Sequence, residues 1–342
     1  MAELTAGDRR VQLTAGESVL DALTRAGVKL SSSCRAGACQ SCLVQVTRGA
    51  IPERAQIGLK DSLRARNFVL ACQATPTSDL EVCLDAVEHL EVPARIQDVT
   101  RLGEDVLCVG VRTARPLDHR AGQFVTLIRE DGLARPYSIA SRPEDGVGEL
   151  LEFHVRIQPS GRMSQWLASE HALGANVRVR GPSGDCFYIS GKPEQPLVLA
   201  GTGTGLAPLW GIACDALASG HRGPIELWHG ARTPAGLYLR SDLERLARTH
   251  RNFSYHPCVL EVDPCVAHLP ERSVSESLPC RVGKLDELLL NAMASFDAPR
   301  FYLCGDAQLV QRLKRALFIR GASLKEIYAD PFVSAPEPAT SN

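Results

Sequence analysis

Cys34, Cys39 and Cys42 stand in a C-x4-C-x2-C run, and Cys72 follows in a Leu-Ala-Cys-Gln context. Three thiols on one loop and a fourth from a later strand suit two irons, because four thiolates must converge on a 2Fe-2S cluster. Gly37 and the small residues Ala36, Ala38 and Ser41 let the backbone wrap closely and turn N–H groups toward the sulfurs. A structural zinc site is the alternative, but zinc knuckles use paired C-x2-C units and the chain has one.

Two further stretches have chemistry-bearing patterns. Arg135-Pro136-Tyr137-Ser138 sits on an expected strand, and Gly161-Arg162-Met163-Ser164 opens an expected helix. A helix start with small residues and a hydroxyl offers donors to a pyrophosphate, while Arg135 can pair with phosphate and Tyr137 offers a ring face. Further on, Leu197-Val-Leu-Ala200 runs into Gly201-Thr202-Gly203-Thr204-Gly205-Leu-Ala-Pro208. That strand, glycine turn and helix form the context a phosphate-binding loop requires, although the spacing is G-x-G-x-G and not G-x-G-x-x-G.

These sites need a scaffold, and 342 residues suffice for two or three domains. With 44% apolar and 23% charged residues the composition is that of an ordinary globular protein. Lys+Arg number 38 against 39 Asp+Glu, which gives no reason to expect nucleic acid as a partner. The apolar runs at 197–200 and 288–294 are far short of the ~20 residues that span a bilayer. MAELTAGDRR lacks the plan of a signal peptide, so a cytoplasmic location is expected. Twelve cysteines are well below the ~8–10% of a disulfide scaffold, and in a reducing compartment clustered ones read as ligands.

Periodicity divides the chain. Residues 1–88 alternate short strands (9–14, 43–47, 68–72, 80–84) with one helix at 17–27, a β-grasp pattern; 89–94 is a linker. Residues 95–190 show regular short strands with turn signals and one helix near 163–170, expected as a six-stranded antiparallel β-barrel. From 191 to 332 strands and helices alternate, which calls for a parallel α/β sheet. Residues 261–280 read as a surface loop and 333–342 as a disordered tail. The fold class is multidomain α+β and α/β.

Residues 1–88 resemble a plant-type ferredoxin throughout. Gly122-Gln-Phe124, RPYS and GRMS together resemble the FAD-binding barrel of the ferredoxin–NADP reductase superfamily, and GTGTGLAP with Tyr302-Leu-Cys304-Gly305-Asp306 resembles its pyridine-nucleotide domain. The order of the three parts is similar to the reductase components of bacterial aromatic-ring dioxygenases and hydrocarbon monooxygenases, the naphthalene, benzoate and carbazole types among them.

The resemblance implies FAD phosphates on Arg135, the isoalloxazine against Tyr137, and Ser138 near flavin N5. It places His154, Val155 and Arg156 by the cofactor phosphates, Cys304 beside the nicotinamide, and Phe332 near the flavin. Ser138, Cys304 and Tyr137 are then the catalytic set. Arg232 lies where an adenosine ribose would bind; with Ala231 before it, NADH is favoured and NADPH is the alternative. Arg240 is a further cation within reach. The implied route runs from NADH through FAD and the cluster to a terminal oxygenase or a separate ferredoxin. Residues 1–88 carry ten Lys/Arg against ten Asp/Glu, so the strongly acidic face of a free-standing ferredoxin is missing, as suits transfer within one chain. A monomer without membrane attachment is expected. The rival readings are a stand-alone reductase acting on a quinone, nitro compound or deoxy-sugar intermediate, and a scaffold with a decayed cofactor fold.

Overall fold

The structure, a computed structural model, describes residues 2–143, 150–261 and 278–333. The loop expected at 261–280 and the tail expected at 333–342 lie almost wholly outside these residues. Three sheets follow one another along the chain.

The first has strands β1 (Glu3–Ala6), β2 (Arg9–Gln12), β3 (Leu43–Arg48), β4 (Phe68–Leu70) and β5 (Leu80–Cys83) in the order β2-β1-β5-β3-β4. Only β1 and β5 pair in parallel, so the sheet is mixed. Helix α1 (Val19–Arg25) buries Val19, Leu20, Ala22 and Leu23 in the core of this sheet. Ser18 caps it by accepting from the Asp21 N–H at 3.1 Å. The sequence pattern misses β1, whose Leu4 and Ala6 are too few and too small to show a period.

The second sheet comprises β6 (Glu91–Arg101), β7 (Val106–Thr113), β8 (Phe124–Arg129), β9 (Ala134–Ser138), β10 (Leu150–Arg156) and β11 (Asn176–Ser183). It is antiparallel throughout in the order β10-β7-β6-β11-β8-β9, and a bridge between Ile139 and Phe153 joins its two edges into a barrel. Leu151, Phe153 and Val155 are buried in the barrel core, which leaves Glu152, His154 and Arg156 on the outer face. Strand β6 opens at Glu91, so residues 91–94 of the expected linker are already paired with β11.

The third sheet is parallel: β12 (Leu197–Thr202), β13 (Ile225–Ala231), β14 (Phe253–Val259), β15 (Arg281–Val282), β16 (Arg300–Asp306) and β17 (Ile327–Phe332), ordered β15-β14-β13-β12-β16-β17. Separate apolar clusters cover its two faces. The chain moves outward from β12 to β15 and returns at β16, so the order switches between β12 and β16, where such sheets bind ligands. Strand β17 carries Pro331, which an edge position tolerates and which hides the strand from sequence patterning.

Candidate active site and cluster loop

The four cysteines converge in two pairs. The Cys34 thiol bonds to Cys39, and the Cys42 thiol to Cys72. Within each pair the shared hydrogen bond holds one thiol, Cys34 or Cys72, below the ordinary cysteine range and its partner above it. Backbone donors surround them. Cys34 Sγ accepts from the N–H groups of Ala36 (3.3 Å) and Cys39 (3.4 Å), and Cys39 Sγ accepts from Cys34 N–H (3.4 Å). Arg35 and Gln40 take φ of 55°, the left-handed turns that fold the loop around its sulfurs. Paired thiols under N–H donors are the donor set a two-iron cluster needs.

This loop is fastened to the barrel. From β11, Arg180 is only 7% exposed and its guanidinium donates to the Ser41 carbonyl at 2.7 Å, while pairing with Glu91 at 3.4 Å. Ser183 Oγ donates to Gln40 Oε1 at 3.0 Å. A buried cation therefore stands against the two carbonyls, of Gln40 and Ser41, that precede Cys42.

On the same row of the barrel as Ser183, two strands away, β9 ends at Ser138, and β17 passes beside it. Ser138 Oγ donates to Asp330 Oδ2 at 2.8 Å. Desolvation lifts the Asp330 carboxyl to about 6, against the pull of this hydrogen bond. Asp330 is the register partner of Cys304, which is fully buried with Sγ 3.5 Å from Cys186 Sγ. Burial and the second thiol push Cys304 well above the ordinary range, so it stays a neutral thiol. Tyr137 is half-buried, its ring tilted against Phe153 at 6.2 Å. Arg135 and Pro136 precede it on the same strand, and Arg135 donates to the Ala134 carbonyl at 2.8 Å.

In the second motif, Ser164 Oγ accepts from Gln158 N–H at 3.0 Å and donates to the Gly161 carbonyl at 3.1 Å. That hydroxyl is committed to its own turn, and a Cβ at Gly161 would meet it at 2.4 Å. Met163 is buried in the barrel core.

The glycine loop owes its composition chiefly to its neighbours. A Cβ at Gly201 would meet the Cys304 carbonyl at 2.6 Å, and one at Gly205 the same atom at 2.5 Å. These two glycines let β12 and the loop press against β16. Gly203, at φ +54°, is the turn residue, flanked by Thr202 and Thr204, and the Arg156 guanidinium lies about it. Arg156 thus leaves the barrel for the nucleotide loop, pairing on the way with Asp105 at 3.1 Å. His154 turns the same way and meets Tyr238 OH at 3.1 Å; the pleat puts both on the outer face, while Val155 stays inside. Below the loop His229 is buried, and desolvation lowers it to about 3, so the ring is neutral.

Gly305 and Asp306 follow Cys304, and Asp306 caps the helix Ala307–Ile319 by accepting from Leu309 N–H at 2.9 Å. Phe332, paired in register with Asp306, closes β17 half-exposed. Arg232 is exposed and pairs with Glu261 at 3.2 Å. Arg240 is held by Glu244 at 2.9 Å.

Three family descriptions match in chain order. Residues 4–77 match the 2Fe-2S iron-sulfur cluster binding domain, 93–188 the oxidoreductase FAD-binding domain and 199–315 the oxidoreductase NAD-binding domain. The reductase component of a naphthalene 1,2-dioxygenase system from Pseudomonas putida is 31% identical over 95% of this chain and 96% of its own length. The reductase subunit of an aromatic O-demethylase from Amycolatopsis is 33% identical, over 97% and 98% respectively.

The chain belongs to this family of iron–sulfur flavoprotein reductase components.

The solved structure of an Amycolatopsis cytochrome P450 reductase superposes with a TM-score of 0.65 at 29% identity, over 97% of this reductase and 99% of that chain. A ferredoxin reductase of carbazole 1,9a-dioxygenase shares the fold, with a TM-score of 0.63 at 24% identity. The reductase is therefore an NAD(P)H-dependent oxidoreductase carrying a 2Fe-2S cluster and FAD. Sequence motifs led to the cysteines, the RPYS strand and the glycine loop. They missed Asp330, Arg180, His229 and Tyr238, single polar residues on strands and loops with no local pattern around them. The Tyr-Ala-Asp-Pro-Phe segment was the one available signal for Asp330.

Proposed function

We propose that this reductase takes hydride from NADH and delivers single electrons to the terminal oxygenase, or its ferredoxin, of a bacterial aromatic or hydrocarbon oxygenase system. The observation that carries the reading is the seam between the cluster loop and strand β11, where Arg180 and Ser183 bond to Ser41 and Gln40. A cluster loop bonded to the flavin barrel suits electron transfer within one chain.

The chemistry that FAD supplies when bound is two-electron uptake and one-electron release. The Ser138 hydroxyl gives its proton to Asp330 and so presents its oxygen as an acceptor at the reacting edge, and Tyr137 supplies the face on which the flat ring packs. The neutral Cys304 thiol forms the floor where nicotinamide approaches. Arg135 and the turn at Gly161 serve the flavin phosphates, and Gly203 with Arg156 serves the dinucleotide. Cys34, Cys39, Cys42 and Cys72 are the iron ligands. Arg232, occupied by Glu261, lacks the added basic partners that a 2′-phosphate calls for, which supports NADH. We place the ferredoxin part at 1–88, the flavin barrel from the start of β6 at 91, four residues earlier than expected, to 190, and the nucleotide part at 191–332.

The protein works as a cytoplasmic monomer in this reading. Free thiols at all eleven described cysteines support a reducing compartment. Among the described residues no helix is long and apolar enough to cross a membrane. The test is reconstitution: NADH, this protein and an oxygenase from the neighbouring genes should give coupled substrate oxidation. NADH–ferricyanide activity without transfer to any oxygenase or ferredoxin would defeat the partner assignment and leave the reductase chemistry standing.

A further inference from the structure

On the outer face of the barrel, three adjacent strands stack two polar rows. Thr100, Cys108 and His154 form one row across β6, β7 and β10, and Asp98, Gly110 and Glu152 form the next. Register partners on neighbouring antiparallel strands project to the same side, so these side chains share one small area. The Cys108 thiol, a Glu152 carboxylate oxygen and a His154 ring nitrogen all lie within 4.8 Å of one another. Gly110 contributes no side chain, and a Cβ there would already meet Leu150 Cδ1 at 3.3 Å and the Asp98 Cβ at 3.4 Å, so the glycine lets Asp98 close in on this row.

We propose that Cys108, Glu152 and His154 form a binding site for a transition-metal ion of the zinc class, separate from the iron–sulfur cluster. The donors are one sulfur, one imidazole nitrogen and one carboxylate oxygen, a set that suits zinc, and three protein ligands leave one position for water. At zinc bond lengths of about 2.0–2.3 Å, tetrahedral ligands stand about 3.3–3.8 Å apart. His154 Nε2 and Glu152 Oε1 are already 3.1 Å apart, so closure requires small side-chain rotations. A thiolate and a carboxylate balance the two charges of the ion, with Asp98 close enough to Cys108 to add to the field.

The histidine is prepared for this role. His154 is buried, and its Nδ1 meets Tyr238 OH at 3.1 Å, leaving Nε2 on the side of Glu152. An outer partner on the second nitrogen fixes ring orientation and tautomer, as in established zinc sites. Cys108 and Glu152 are half-buried and Asp98 is exposed, so an ion can reach the donors from solvent.

The test uses the holoprotein, with cluster and FAD in place, and zinc titrated against a chromogenic chelator. The expected result is one zinc per chain at micromolar affinity or tighter, weakened at least tenfold by Cys108→Ser and by Glu152→Gln. Flavin and cluster spectra and NADH–ferricyanide activity should be unchanged in both variants, which shows that they fold. On the wild-type protein, zinc-edge X-ray absorption should report one sulfur neighbour and otherwise nitrogen or oxygen. No binding at ~100 μM zinc, equal affinity in both variants, or an edge with two or more sulfurs would each overturn the assignment, the last pointing to capture by the cluster cysteines.

Discussion

Ser138 and Asp330 are 192 residues apart in sequence and joined by a hydrogen bond of 2.8 Å. The bond ties the last residue of a flavin-barrel strand to the edge strand of the nucleotide sheet. It also fixes the direction of the serine hydroxyl, because the carboxylate accepts its proton and leaves the oxygen as an acceptor.

Ser138→Ala removes that oriented hydroxyl while leaving the strand intact. Flavin reduction by NADH should slow ~10- to 100-fold with FAD still bound, as loss of positioning reduces rate more than affinity. Tyr137→Ala should instead lower FAD content, since a packed aromatic face contributes mainly binding. Stopped-flow reduction alongside flavin content separates the two, and unchanged rates and occupancy in both would remove RPYS from the flavin site.

Asp330 gives a pH signature. Its carboxyl is lifted from 3.8 to about 6, so the folded state holds a proton that the unfolded chain has lost. Stability contributed by the neutral form is therefore full below about pH 4 and is lost as pH rises to about 6. Asp330→Asn cannot ionise and should be more stable than wild type above pH 6, by a margin of order 1–3 kcal/mol that vanishes toward pH 4. Thermal unfolding of both proteins at pH 4.5 and 7.5 checks the sign; a margin that grew at low pH would contradict it.

The cysteine pairing predicts a division of activities. Serine at Cys34, Cys39, Cys42 or Cys72 should bleach the cluster and cut cytochrome c reduction, while NADH–ferricyanide activity stays within about twofold, because flavin reduction precedes the cluster. Iron content and electron paramagnetic resonance report the cluster directly. A Cys72→Ser protein with a normal cluster would reassign the fourth ligand, with Cys83 on β5 the next cysteine along the chain.

Arg180 stands in the electrostatic range of Cys39 and Cys42. A buried cation favours the reduced cluster, which carries one more negative charge. Arg180→Met should lower the midpoint potential of the cluster and slow cytochrome c reduction, with ferricyanide activity unaffected; Arg180→Lys should retain part of the potential. A redox titration of the cluster signal tests this, and equal potentials in Met and wild type would restrict Arg180 to packing.

The readable parts of this protein are those whose chemistry is confined to one contiguous loop. Three thiols within nine residues, the RPYS strand and a glycine turn between strand and helix are local solutions to ligand geometry, and their spacing persists in any fold that uses them. The periods of two and 3.6 likewise announced a β-grasp unit, a barrel and a parallel sheet, because each sheet buries one or both faces along its own segment. Short or irregular strands escaped: β1 buries two side chains, and β17 carries a proline.

What the tertiary structure alone decided are the meetings between segments far apart in sequence. Arg180 reaches Ser41 because the cluster loop lies against the interior strand β11, and Ser138 reaches Asp330 because the edge strand β17 passes beside the end of β9; one polar residue on a strand has no period to reveal its partner. Arg156 shows the same limit. The resemblance placed it by the cofactor phosphates without choosing between the two cofactors; the pleat turns it outward, and its guanidinium lies about Gly203 of the nucleotide loop. Sequence fixes which side chains each element carries outward, and the docking of the sheets determines what those side chains meet.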